Sequence, residues 1–455
     1  MTDGSSSTPT PDTGPESGAS PTGRSTRQRL ATGGSTLALA MMLANAGNYV
    51  LNLYLGRALG PADFSDANLM VTLMLSTTAL SLGLEMVTAR FVARLEATHR
   101  PEAARDVVRR LRRVAWIAGV GLALVLGAGA PVWQDVFNTA SPWPFVVLAA
   151  GLPCYLAQSV GRGALQGTLR FEALALTFLV EMVVRLVVGI LLVALGYGVM
   201  GATIGLSLSL VATWAVVAVL VGRVPAQRVA DALSGTELRT YAGLVSVLLL
   251  AQIVANNSDV LVAKASLSPE AAGVYAAVAL VGRAIFYLAW SVATVVFPVA
   301  AAAEPGKSGV LRGGLLIVGA LGSACALGGL LVGGPILEIV LGEDYGGVSR
   351  LLAGYAVATT LFALANLAAS VRLAQGRVDA SWLVMAGAVL QVALLLVLRG
   401  DATELVWAQV VAMTALVVGV STHHALVVRR EEHPAPDQDQ PQDQPQDQQQ
   451  GGPQR

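Results

Sequence analysis

Long apolar blocks alternate with short charged stretches through the middle of the chain. Most blocks reach the length of about 18 residues that an α-helix needs to cross the hydrocarbon core of a bilayer. We therefore predict an all-α membrane protein with about twelve transmembrane helices, six in each half. The predicted spans are 36–56, 67–89, 114–133, 143–160, 172–195, 199–221, 240–263, 272–300, 313–334, 348–370, 380–398 and 404–427.

The composition excludes a soluble alternative. Of the 455 residues, 54% are hydrophobic and only 13% are charged, whereas soluble domains carry roughly 25% charged residues. So little charge could not cover the surfaces of two or three soluble domains. Cys154 and Cys325 both lie inside apolar blocks, so we expect two core residues, not a disulfide or a metal pair.

Both ends of the chain differ from the apolar blocks. Residues 1–35 are rich in Ser, Thr, Pro and Gly, and residues 429–455 contain a Pro/Asp/Gln repeat. Neither segment can bury enough apolar surface to fold, which predicts two disordered cytoplasmic tails. Between them we place six-helix bundles at 36–222 and 240–428, joined by a cytoplasmic linker at 223–239.

Arginine and lysine are distributed unevenly between alternate loops. One set of loops holds Arg24, Arg27, Arg29, the stretch from Arg90 to Arg113, Arg162, Arg170, Arg223, Arg228, Arg239, Lys307, Arg312, Arg372, Arg377, Arg429 and Arg430. The other set holds only Arg57, Lys264, Arg350 and Arg399. Because cytoplasmic loops are enriched in these cations, we predict a multi-pass protein of the cytoplasmic membrane with both termini in the cytoplasm.

The two halves of the chain resemble each other. Setting Pro61 against Pro269 brings Asn48 opposite Asn256, and a polar helix, a short loop with proline and an acid, and a long helix then follow in each half. This predicts two pseudo-symmetric bundles related by an axis along the membrane normal, with a substrate site between them. Chance similarity of loop composition is the alternative.

Two of the predicted helices carry polar stripes. Spacings of three and four residues place Asn45, Asn48 and Asn52 on one face of the first helix. The same spacing places Gln252, Asn256 and Asp259 on one face of the seventh. Amide stripes can line a wet cavity that binds sugar hydroxyls, or they can hold membrane helices together.

Four charged side chains are predicted to lie within the bilayer. Asp259 must be paired, protonated or wet, since an isolated carboxylate is costly there. It is the candidate for coupling to a proton or cation, with a structural ion pair or a position at the outer rim as alternatives. Arg283 is expected to bind a diphosphate, to pair with Asp259, or to snorkel. Glu181 and Arg185 are four residues apart and either neutralise each other within the fifth helix or add both signs to the cavity.

The stretch from Arg90 to Arg113 combines basic residues with an apolar face. This pattern predicts an amphipathic helix lying on the cytoplasmic leaflet. Attraction to anionic phospholipid explains it, and recruitment of a lipid diphosphate headgroup is the alternative. The predicted lipid-contact residues are Arg105, Arg109, Arg112 and Arg113.

Motifs for enzymatic chemistry are absent from the sequence. It contains no GxxxxGK[ST], HExxH or GxSxG motif and no Cys/His cluster, and no outside loop can house a catalytic domain. We therefore predict a protein that is not an enzyme, needs no cofactor or metal, and binds no nucleic acid.

Several runs of residues resemble the polysaccharide (O-antigen/teichoic acid type) flippase family. In the first half these are LYLGRALGPADFSDANLMVTLMLS and LGLEMVTARFVARL, and in the second half NNSDVLVAKASLSPEAAGVYAAVAL and VVFPVAA. The resemblance implies the fold of the multidrug/oligosaccharidyl-lipid/polysaccharide exporter superfamily, with two six-helix bundles around a central cavity and alternating access.

The same resemblance implies an activity. Family members move an undecaprenyl-diphosphate-linked glycan from the cytoplasmic to the outer leaflet, and glycosyltransferases or a polymerase of the same pathway are the implied partners. The roles given to Arg185 and Arg283 rest on their chemistry and not on a family motif. The alternatives are a cation-coupled multidrug antiporter of the same fold, a lipid II flippase with two additional spans, a membrane polymerase or ligase, and a scaffold of polysaccharide assembly.

Overall fold

The computed structural model describes residues 21–222, 235–283, 309–374 and 379–432, and within these ranges it is helical with no β-strand. The first half contains α1 (Pro21–Ser76), α2 (Thr78–Ala97), α3 (Pro101–Ala128), α4 (Ala130–Phe137), α5 (Trp143–Gly167), α6 (Phe171–Leu192), a π-helical turn (Val193–Tyr197) and α7 (Gly198–Val221). The second half contains α8 (Gly235–Ser266), α9 (Pro269–Gly282), α10 (Gly309–Leu341), a 3₁₀ turn (Glu343–Tyr345), α11 (Ser349–Ala374), α12 (Asp379–Val397) and α13 (Ala402–Glu432).

Two of the longest helical stretches each contain two membrane spans. The stretch Gly33–Ala97 has 65 residues, and Phe171–Val221 has 51, whereas one crossing takes about 20 residues. The first is broken at Gly60, whose φ of 71° and ψ of 169° are not helical. The second is broken in the π-helical turn at Gly196, whose φ is 91°. Positive φ favours glycine, so the chain reverses direction at these two residues.

Counting these breaks, the first half has six spans. In the second half, three helices meet the length and hydropathy of a span among the described residues, namely Arg312–Leu341, Ser349–Ala369 and Ala402–His423. The helices α8, α9 and α12 complete the second bundle. The predicted all-α architecture of two six-helix bundles is confirmed.

Large apolar side chains cover the outside of the bundles. Val219 is 81% exposed, Leu331 68% and Leu124 63%. Soluble monomers do not expose apolar surface of this extent. The outer surface of the spans therefore faces lipid.

The basic stretch differs from its prediction. α3 runs without a break from Pro101 to Ala128, so the predicted separate helix lying on the leaflet is wrong. Val107 and Leu111 are buried in the core of the first half, and this packing turns the basic stretch into the start of the third span. The buried carboxylate of Asp106 pairs with Arg109 and with Arg110.

The predicted end segments are only partly described. α1 begins at Pro21, inside the predicted tail, since a helix extends at little cost once its span has nucleated it. Much of the predicted linker at 223–239 and of the eighth span at 272–300 lies outside the described residues, as do residues 1–20 and 433–455.

The two bundles meet at one end of the molecule, opposite to the start of α1 and the end of α13, which we call the distal end. Leu55 and Phe64 of the first half share one apolar cluster with Tyr275, Leu341 and Tyr345 of the second. The remaining buried clusters belong mainly to one half each. This geometry places the polar residues of both halves beneath a closed distal end.

Candidate substrate cavity

The first half holds a buried charge cluster around Glu181 of α6, which we call the N-half cluster. Its carboxylate accepts hydrogen bonds from Arg162 of α5 at 2.7 Å and from Arg185 at 2.6 Å. The two arginine side chains are only 7% and 8% exposed. Gln158 donates to the same carboxylate at 3.2 Å. A second carboxylate, half-buried Glu85 of α2, lies within electrostatic range of Arg162 and Glu181.

Arg185 connects three helices. Its Nη1 donates to Oδ1 of Asn48 on α1 at 3.1 Å, and its Nε donates to the hydroxyl of Ser209 on α7 at 3.3 Å. Within the predicted asparagine stripe, only Asn48 enters the cluster. The amide nitrogen of Asn52 donates to the Asn48 carbonyl oxygen at 2.8 Å, and Asn45 is exposed.

The second half holds its own cluster around Asp259 of α8, which we call the C-half cluster. Oδ1 of Asp259 accepts from Nη2 of Arg283 at 3.0 Å. Oδ2 accepts from the hydroxyl of Tyr355 at 2.8 Å and from that of Tyr275 at 3.3 Å. The Asp259 side chain is 1% exposed, so both carboxylate oxygens are bonded inside the protein. Gln409 donates to the Tyr275 hydroxyl at 2.6 Å and fixes it.

The other members of the seventh-helix stripe have different partners. Gln252 donates to Oδ1 of Asn366 on α11 at 3.0 Å and does not join the C-half cluster. Asn256 donates to the Gln252 carbonyl oxygen at 3.0 Å, within its own helix. It lines a cavity of ≈ 20 Å³ beside Arg283, which has room for about one water. The neighbouring Asn257, which was not on the predicted face, lies 3.5 Å from Nη1 of Arg283.

Sequence reasoning missed part of both clusters. It assigned Arg162 to a loop because the predicted fourth span ended at residue 160, whereas α5 continues to Gly167 and buries this side chain. An arginine flanked by small residues just beyond an apolar block was the available signal. Tyr275 and Tyr355 gave no signal, because they reach Asp259 only once three helices are assembled.

Charged residues also connect the two halves at the distal end. Lys264 of α8 is 2% exposed and lies 2.6 Å from Oδ1 of Asp66 and 2.7 Å from the hydroxyl of Ser65, both in the first half. Arg57 donates to the carbonyl oxygen of Ile339 at 2.8 Å. Lys264 and Arg57 are two of the four cations that the sequence placed in the loops with few basic residues. Both thus connect the bundles, and we call these contacts the distal closure.

Backbone contact reinforces the distal closure. A Cβ atom on Gly273 would lie 1.9 Å from the carbonyl oxygen of Pro61, so only glycine permits this approach. The hydroxyl of Tyr345 donates to the Gly56 carbonyl oxygen at 3.0 Å, and its ring meets Phe64 edge-on at 6.4 Å. The halves cannot separate at this end without breaking these contacts.

With this geometry established, comparison with known proteins gives the family. A family model described as polysaccharide biosynthesis protein matches residues 30–304, more than half of the chain. The chain belongs to this family. The resemblance to polysaccharide flippases found in the sequence is thereby confirmed.

The match to curated relatives covers a shorter part of the chain than the family model does. The chain is 28% identical over 188 residues to an uncharacterised protein found in two strains of Mycobacterium tuberculosis. The match covers 40% of this chain and 41% of the relative. The chain thus spans about two fifths of the length of the curated relatives it matches.

Solved structures establish the fold of this polysaccharide biosynthesis protein. An inward-facing multidrug resistance MATE family transporter of the MOP superfamily has a TM-score of 0.70 at 18% identity, covering 88% of this chain and 99% of that one. An outward-facing structure gives 0.58 at 19% identity, covering 87% and 95%. A MOP superfamily transporter from Pyrococcus furiosus, described as having a binding pocket of reverse polarity, gives 0.51 at 17% identity, covering 88% and 95%.

Proposed function

We propose that this protein is a flippase that moves an undecaprenyl-diphosphate-linked oligosaccharide across the cytoplasmic membrane for cell-surface polysaccharide biosynthesis. The observation that carries this function is the presence of three guanidinium groups, those of Arg162, Arg185 and Arg283, inside membrane-spanning bundles. Ionisable groups at membrane depth are costly and generally functional. The family and the transporter fold agree with this function.

A polar path explains why such a substrate needs a protein. Moving two phosphates and many hydroxyls through hydrocarbon without hydrogen bonds costs several kcal/mol for each polar group. Guanidinium groups bind phosphate through two parallel hydrogen bonds. In the cavity between the bundles they replace water around the diphosphate, while the polyprenyl tail stays in the lipid.

The existing ion pairs give the arginines an exchangeable partner. Arg283 is 15% exposed and its partner Asp259 is fully buried. A diphosphate arriving from the cavity competes with this carboxylate for the guanidinium. Displaced Asp259 is then a buried carboxylate without its cation, a costly state within the membrane that a coupling ion relieves. This sequence of events makes Asp259 the coupling residue of the transport cycle.

The distal closure fits the cytoplasm-facing state of such a cycle. The ion pair of Lys264 with Asp66 and the approach of Gly273 to Pro61 hold the distal end shut. The higher TM-score with an inward-facing transporter supports the same state. With both termini in the cytoplasm, the distal end faces outward, and release of the glycan requires this closure to open. Glycosyltransferases or a polymerase of the pathway act before and after this step.

Reconstitution tests this function directly. Proteoliposomes carrying a fluorescent undecaprenyl-diphosphate oligosaccharide report how many headgroups reach the outside. The intact protein and the exposed-site control Asn45→Ala are expected to translocate the headgroup, and Arg283→Gln is expected to slow this at least tenfold. The dependence of the translocation rate on a pH gradient across the vesicle membrane should disappear in Asp259→Asn. Uptake of an organic cation without any headgroup translocation would indicate the antiporter, and neither activity would indicate the scaffold.

A further inference from the structure

A second cavity lies apart from both charge clusters, at the end of the first half that carries the chain termini. Its volume is ≈ 180 Å³, several times the volume of one water in liquid, about 30 Å³. It lies where α2, α5 and α7 end and where α3 and α6 begin. Its walls include Val92, Glu96, Arg105, Val108, Arg170 and Val221. Neither the proposed transport path nor the core accounts for it.

The polar wall of this cavity carries a net positive charge. Arg105 of α3 is exposed and, among the described residues, forms no hydrogen bond or ion pair. Arg170 donates one Nη1 hydrogen bond to the Leu220 carbonyl oxygen at 2.8 Å, which leaves further N–H groups for a ligand. Glu96 contributes one negative charge. Two guanidiniums and one carboxylate leave a balance of one positive charge, which matches a singly charged phosphodiester.

The remaining wall is apolar. Val92 and Val108, which are 2% and 5% exposed, and half-buried Val221 line it from three different helices. The cavity lies at the ends of membrane spans, which is the level of lipid headgroups in a bilayer. A ligand that satisfies both walls has a phosphate beside a hydrocarbon chain.

We propose that this cavity binds the headgroup phosphate of an anionic phospholipid through Arg105 and Arg170. The acyl chains stay in the surrounding bilayer, and the bound headgroup holds together the ends of α2, α3, α5 and α7. The other arginines predicted to contact lipid are placed differently. Arg109 pairs with Asp106, and neither Arg112 nor Arg113 lines the cavity.

Lipid-dependent stability tests the site on the full-length protein in detergent. Phosphatidylglycerol and phosphatidylcholine are titrated separately, and the thermal unfolding midpoint is measured by fluorescence. Phosphatidylglycerol is expected to raise the midpoint more than phosphatidylcholine in the intact protein and in the control Arg113→Gln. Arg105→Gln and Arg170→Gln are each expected to raise the half-saturating phosphatidylglycerol concentration about tenfold, the effect of losing one hydrogen bond to a charged group. Glu96→Gln is expected to lower it.

Each contrary outcome overturns the site. Equal effects of the two lipids on the unfolding midpoint would show that lipid charge plays no role. An Arg105→Gln protein that responds to phosphatidylglycerol like Arg113→Gln would show that the lipid does not bind in this cavity. The same rise with glycerol phosphate alone would indicate a free-phosphate site. Displacement of phosphatidylglycerol by undecaprenyl diphosphate would assign the cavity to the transported lipid. Because Arg105 forms no hydrogen bond or ion pair with any residue that the structure describes, its substitution tests binding with little disturbance of the fold, and the readout is independent of transport.

Discussion

The two halves bury a carboxylate among membrane helices in different ways. In the N-half cluster two guanidiniums hold Glu181. In the C-half cluster one guanidinium and two phenol hydroxyls hold Asp259. The Glu181 carboxylate therefore offsets the repulsion between two positive charges, whereas Asp259 accepts hydrogen bonds from one charged donor and two neutral donors. The first cluster depends on charge balance and the second largely on hydrogen bonding.

The strongest test of this difference is removal of the Glu181 charge. Glu181→Gln leaves Arg162 and Arg185 buried without their shared carboxylate, with only Glu85 nearby. Breaking a buried ion pair from one side costs about 3–5 kcal/mol. We expect a loss of this size in the free energy of unfolding, measured by denaturant titration in detergent. Glu181→Asp, which keeps the charge, should lose less. A loss below about 1 kcal/mol in Glu181→Gln would show that charge balance does not hold this cluster together.

The matching change in the second half should cost less. Asp259→Asn keeps one carbonyl oxygen that can accept from Tyr355 or Tyr275 and removes the carboxylate charge that pairs with Arg283. Hydrogen bonds to charged groups contribute about 1.5–3 kcal/mol each, so we expect a loss in that range in the same titration. Equal losses of unfolding free energy in Asp259→Asn and Glu181→Gln would show that the two clusters are stabilised in the same way.

The distal closure tests whether the halves move against each other. Replacing both charges together, as Asp66→Asn with Lys264→Gln, leaves no unpaired ion and should change stability little. It should instead shift the equilibrium toward the open distal end about tenfold, which corresponds to about 1.4 kcal/mol. The measurement is labelling of Ala67→Cys, at a position that is 2% exposed in this structure, by a membrane-impermeant maleimide in a variant lacking Cys154 and Cys325.

A charge exchange provides the control for this experiment. The double variant Asp66→Lys with Lys264→Asp restores opposite charges and should return labelling toward the level of the intact closure. Unchanged labelling in the uncharged variant would mean that the apolar contacts alone keep the distal end shut.

The smallest expected effect is the difference between Asn48 and Asn45, two residues of the asparagine stripe. Asn48→Ala removes the hydrogen bond from Arg185 and should cost about 1.5–3 kcal/mol. Asn45→Ala changes an exposed position and should stay within about 0.5 kcal/mol. Unfolding titrations of both variants compare them directly. Similar losses would indicate that the whole asparagine stripe acts as one polar face.

The sequence predicted the helices far better than the clusters. Spans follow from hydropathy, which is a local property, and most were placed correctly. Partners of buried charges depend on which helices become neighbours. Lys264 reaches Asp66 across 198 positions in the chain, and Tyr355 reaches Asp259 across 96. The Glu181–Arg185 and Asp106–Arg110 pairs, each about one helical turn apart, follow from spacing alone.

The most direct test of the proposed flippase compares two lipid-linked glycans that differ by one phosphate. Initial translocation rates are measured in proteoliposomes for the undecaprenyl diphosphate and the undecaprenyl monophosphate form of the same oligosaccharide. We expect the intact protein to prefer the diphosphate. Arg283→Gln and Arg185→Gln should lose this preference, with rates normalised to the folded fraction of each variant, because both changes also remove the cation that pairs with a buried carboxylate. Equal rates for both lipids in the intact protein, or an unchanged preference in both variants, would contradict recognition of the diphosphate by these arginines.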